Sequence, residues 1–113
     1  MILRSRLGEL RRAIDRLPEH TRVAMLVGIR SNEIIVGAYS DRVGGVCPML
    51  AAHRCGGRTS AAHFARAWDR FCRAKGPRTA SADELLALEG LLEASLLATH
   101  SAPRAADHEL VSA

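Results

Sequence analysis

The sequence has no apolar run long enough to cross a bilayer. The longest, Val23 to Ile29, falls far short of the ~20 residues a spanning helix needs. The start also lacks the apolar segment of an export signal, because Met1-Ile2-Leu3 gives way at once to Arg4 and Arg6. Membrane insertion and secretion are therefore not expected, and a cytoplasmic location is. Cysteine is scarce and odd in number. Cys47, Cys55 and Cys72 stand at irregular spacing, which gives no disulfide framework and predicts reduced thiols. Lysine is almost missing, Lys75 being the single one among 16 basic residues. A GC-rich bacterial genome would favour arginine in this way, along with the abundant alanine, so each arginine must be argued from its position.

The chain has 113 residues, 48% of them apolar and 25% charged, which suits one soluble globular domain. Its net charge of +4 is unevenly placed. Residues 1–78 hold 15 basic and 6 acidic side chains, whereas residues 79–113 hold 1 and 6. A basic body with an acidic end suits an anionic partner such as nucleic acid, unless the acidic end folds back and neutralises the body.

Hydrophobic spacing predicts a mainly α domain over residues 1–99, about four helices with a short β element near residues 22–40, followed by a mobile tail at 100–113. Leu3, Leu7, Leu10, Ile14 and Leu17 form one helical seam, and Pro18 either ends that helix or starts the next one. Residues 22–29 fit either a helix or a strand, because Val23, Met25, Val27 and Ile29 alternate. The strand-like segment Glu33–Tyr39 needs a partner for its backbone groups. The spacing therefore favours a hairpin turning near Ser31-Asn32, with pairing across a dimer as the alternative. Pro48 opens a short helix that Gly56-Gly57 breaks. A longer helix runs from Thr59 or Ser60 to about Lys75, with Phe64, Trp68 and Phe71 on a core-facing stripe. Ser81 and Glu84 have capping-box spacing at the head of a Leu-rich helix. Its apolar residues wrap more than one face, which predicts burial on two sides and self-association. Gly90 inside it predicts a close helix crossing.

Residues 48–74 have the order of a helix-turn-helix, with Ala52 and Gly56 at the turn. On that reading Arg66, Arg70 and Arg73 form a basic stripe, while Arg54, Arg58, Thr59 and Ser60 meet phosphates at the helix start. The expected function is non-catalytic DNA binding in transcription regulation, by a homodimer. The Gly-rich segment His53–Ser60 also allows a small-anion site, without the ending of a P-loop. Cys47, His53, Cys55 and His63 are zinc-ligand types at poor spacing, and Cys47-Pro48 resembles a haem-regulatory dipeptide. Cys47 with His53 is the one candidate nucleophile-base pair, with no orienting acid evident. A ligand- or zinc-binding module at 47–63 and a protein-binding adaptor are the alternatives, and no cofactor is required.

Overall fold

The computed structural model describes residues 2–57 and 62–111, with side chains described for 6–57 and 62–99. Helix α1 spans Ile2–Asp15. Its seam buries Leu10, Ile14 and, just past the end, Leu17, while Leu7 is exposed. Pro18 then stops α1 and starts α2, Glu19–Ser31, by accepting the N–H groups of Thr21 and Arg22 at 3.0 Å. No helix among the described residues is long and apolar enough to cross a membrane.

Helix α2 overturns the hairpin expected at 22–39. Val23 and Val27 are exposed, whereas Met25 and Ile29 are buried. Each pair is spaced i, i+4, so an alternation read as strand is equally two faces of one helix. The third helix decides between them. Helix α3, Pro48–Arg54, crosses α2 so closely at Gly28 that a Cβ there would lie 2.6 Å from the Ala51 carbonyl oxygen. Removing the side chain lets the backbones touch.

The strand finds its partner elsewhere. Strand β1, Ile35–Val36, pairs antiparallel with β2, Arg78–Thr79, in the register Ile35 to Thr79 and Val36 to Arg78. On the other side Val46 takes the Ile35 N–H at 2.9 Å and gives its own N–H to Glu33 at 2.9 Å. Backbone groups that a lone strand would leave unpaired are thus satisfied within one chain.

Helix α4 spans Ala62–Phe71, and α5 spans Ala82–Val111. Phe64 and Trp68 are fully buried against the core, and the Trp68 indole donates to the Ile35 carbonyl at 3.2 Å. Helix α4 packs on α1, α3 packs on α2, and α5 lies along α2 and α1. The capping box forms as expected: the Ser81 N–H donates to Glu84 at 2.8 Å, and the Glu84 N–H donates back to the Ser81 hydroxyl at 3.1 Å. Leu88 and Leu92 enter the core while Leu86 and Leu97 face outward. The close crossing expected at Gly90 is not there, since a Cβ at Gly90 meets nothing within 4 Å. The helical backbone also continues past His100 to Val111, where the sequence predicts a tail.

Arg22 ties the three long helices together. It is 8% exposed, and its Nη1 donates to the Ser95 hydroxyl at 2.6 Å and to the Thr99 hydroxyl at 2.9 Å. Ser95 in turn donates to Asp15 at 2.8 Å, so one hydroxyl joins α1, α2 and α5.

Candidate functional site

The rings of α4 point inward, so its remaining positions carry charge outward. Arg66 and Arg70 are exposed, and Arg73 is exposed just beyond the helix. Helix α4 does not run to Lys75 as its sequence predicts. It ends at Phe71 because Arg73 adopts φ +54°, the one non-glycine residue with positive φ among the described residues. The Arg73 N–H donates to the Arg70 carbonyl at 3.1 Å and the Ala74 N–H to the Asp69 carbonyl at 2.9 Å. This is the Schellman closure, with arginine where glycine is favoured. A left-handed conformation costs an L-residue roughly 1–2 kcal/mol.

Between α1 and the end of α4 lies a groove of about 480 Å³ lined by Arg6, Asp69, Arg70, Arg73, Ala74 and Lys75. Four of these six side chains are cationic. Arg70 pairs with Glu9 of α1, both side chains being partly open to solvent. Arg73 and Lys75 have no side-chain partner among the described residues, and Nη1 of Arg6 is shielded from solvent with none either. A shielded donor without an acceptor is unfavourable by about 1–3 kcal/mol.

Among the described residues, the carboxylates of α5 that form ion pairs do so away from this groove. Glu89 and Glu93 of α5 hold Arg30 of α2 at 2.5 and 2.8 Å. Glu84 holds Arg78 with two bonds of 3.0 and 2.9 Å, and Arg78 also donates to the Cys72 carbonyl at 2.6 Å. These hydrogen bonds from Arg78 hold the Glu84 carboxyl down to about 2, against an ordinary 4.5.

No family model, curated protein or solved structure matches the chain.

The other predicted site residues fare unequally. Arg54 is exposed but stands apart, donating to Asn32 at 3.1 Å. Arg58, Thr59 and Ser60 lie outside the described residues. The helix-turn-helix order is present without its packing, since α3 and α4 scarcely touch. Gly57 instead sits against Ala24 and Thr21 of α2, so the small residues there serve the α2–α3 crossing. The Gly-rich segment cannot cradle an anion with its glycine N–H groups. Gly56 donates to His53 at 3.1 Å and Gly57 to Ala52 at 2.8 Å, closing α3 on itself.

Cys47, His53, Cys55 and His63 are not brought together. No group of three or more metal-ligating side chains converges among the described residues. Cys47 caps α3, its sulfur accepting the Leu50 N–H at 3.4 Å, while His53 and Cys55 are exposed. Burial pushes the thiols of Cys47 and Cys72 up, so neither is a thiolate at neutral pH. The Cys47 sulfur is buried and engaged with the Leu50 N–H, and no hydrogen bond joins it to the exposed His53 among the described residues. The Leu-rich surface expected to support self-association is open in part: Val23, Val27 and Leu97 are exposed, and Leu26, Glu93, Leu96 and Leu97 line a shallow depression.

A further depression adjoins the basic groove at Asp69 of α4. It is a cleft of about 210 Å³ with Tyr39, Cys47, Met49, Phe64 and Trp68 in its walls and with Arg66 and Asp69 among its polar residues. Sequence reasoning missed Arg6, Tyr39, Asp69 and Lys75 as site residues. Only Arg6 left a signal, as a charge flanking the α1 seam; which helix that seam would dock on could not be read.

Proposed function

We propose that this is a small non-catalytic DNA-binding protein, acting in transcription regulation, that grips phosphates along α4 and the adjoining edge of α1. The groove formed by Arg6, Arg70, Arg73 and Lys75 carries this reading. Arg73 and Lys75 are exposed in it without a side-chain partner among the described residues, and so are open to anionic oxygens. The Arg70–Glu9 pair does not close the site. Exposed pairs of this kind are worth ~0–1 kcal/mol, and the guanidinium has further donors to offer. Arg73 adds a second line of support. Glycine is the favoured residue at that helix end, and keeping arginine there at a conformational cost is what a binding role would require.

The reading differs from a helix-turn-helix in what it asks of the protein. Contacts to phosphate position a protein on nucleic acid without reading sequence, and they make affinity fall with salt. Retention of a labelled DNA fragment is the test. The protein should hold DNA at ~50 mM salt and lose roughly 10³-fold or more in affinity by ~200 mM if six phosphates are engaged, and proportionately less for fewer. Failure to bind any DNA at the lower salt would reject the reading.

A further inference from the structure

We propose that the cleft beside the basic groove receives an unpaired nucleobase stacked on Tyr39, so that the preferred ligand is single-stranded nucleic acid. This rests on the phosphate-binding reading above and names the form of nucleic acid that the site takes.

Three observations meet at the cleft. The first is Tyr39 itself. Phe64 and Trp68 are buried and Phe71 is partly so, yet Tyr39 is 65% exposed at the cleft wall. An aromatic face held open to solvent is a stacking platform for any base. The second is the rigidity of its loop. The Gly37 N–H donates to Asp69 at 2.9 Å, and the Tyr39 carbonyl accepts the Cys47 N–H at 2.8 Å. Gly37 has φ +84°, and a Cβ there would fall 2.4 Å from the Gly76 carbonyl oxygen. The backbone on both sides of the ring is therefore fixed, and little order remains to be imposed on binding.

The third observation is charge and continuity. Arg66 lines the cleft and has no hydrogen-bond or ion-pair partner among the described residues. Asp69 lines both the cleft and the basic groove, so the two depressions meet along one edge of α4. A strand whose phosphates follow Arg66, Arg70 and Arg73 thus passes the cleft mouth. At about 210 Å³ the cleft is below the ~300 Å³ of the smallest drug-sized sites, which suits a single ring system rather than a larger ligand. Bases inside a duplex are stacked on one another and cannot enter without being unpaired.

The test compares a labelled single strand of about 12 nucleotides with the duplex of the same sequence, at one salt concentration. Tyr39→Ala should weaken single-strand binding about tenfold or more, Tyr39→Phe should keep most of it, and duplex binding should not change with either. Thermal melting checks that both variants fold. A strand with abasic sites, bound to the unaltered protein, should lose a similar factor, since it keeps every phosphate and removes the bases. Equal affinity for the abasic and complete strands, or tighter binding of the duplex, overturns the inference while leaving phosphate binding intact. Absence of binding to either form overturns both.

Discussion

Arg22 and Arg30 of α2 are held by α5, one by hydroxyls in the interior and the other by two carboxylates at the surface. Of Arg66, Arg70 and Arg73, only Arg70 has a carboxylate partner among the described residues, Glu9 of α1. The residue type is the same, and the difference lies in where the acidic residues fall along the chain. The described carboxylates of α5 that make ion pairs reach α2 and β2, and none reaches α4. The charge imbalance between the two parts of the sequence therefore becomes a spatial separation, with one set of arginines building the fold and another left facing solvent.

Removing members of each set should sharpen that contrast. The largest stability effect is expected at Arg22. Arg22→Ala leaves the Ser95 and Thr99 hydroxyls without their shared donor and opens a gap among three helices, lowering unfolding free energy by about 3 kcal/mol in a denaturant titration. DNA retention by the fraction that remains folded should be unchanged.

A second effect depends on pH. The folded-state carboxyl of Glu84 sits at about 2 and its ordinary value is 4.5, so deprotonation is favoured by folding. Its contribution is complete above about pH 5 and is lost as pH falls through 4.5 toward 2. Glu84→Gln should destabilise the protein at pH 7 and flatten the decline of melting temperature across that acid window. An unaltered decline would place its cause in other carboxylates.

Gly90→Ala should raise stability by about 1 kcal/mol, because the position is helical and open on its outer side. The corresponding change at Gly28 should be strongly destabilising, since Ala51 occupies the space. The smallest effect on folding is expected at the basic groove. Arg73→Gly relieves a left-handed arginine and should hold or slightly raise the melting temperature while weakening DNA binding. Opposite signs for stability and affinity would mark Arg73 as kept for binding.

Much of the architecture was legible from local signals. Pro18, Pro48 and the Ser81–Glu84 box mark helix starts through chemistry that acts within a turn, and each mark holds. The inward aromatic stripe of α4 was legible for the same reason. What escaped depends on contacts between distant segments. The partner of β1 lies at Arg78–Thr79, and no spacing rule links the two. The helical state of 22–29 rests on the fit of Gly28 to Ala51, while the intrahelical pattern alone is two-fold ambiguous. The stop at Phe71 was hidden because an arginine takes the position where glycine would have signalled it. Of the candidate site, the stripe Arg66, Arg70 and Arg73 could be read from its spacing. Arg6 and Tyr39 could not, since they join it only through the packing of α1 on α4 and the β1 loop on α3.

The most direct test of the account measures how DNA affinity depends on salt for three proteins: the unaltered chain, Arg66→Ala/Arg70→Ala/Arg73→Ala, and Arg30→Ala. Each lost phosphate contact reduces the slope of log affinity against log salt by about 0.9 on duplex DNA and about 0.7 on a single strand. The triple variant should therefore lose about 2 to 3 from the slope while Arg30→Ala keeps it whole. Equal slopes for all three would contradict the claim that the arginines of α4, and not those locked against α5, meet the anion.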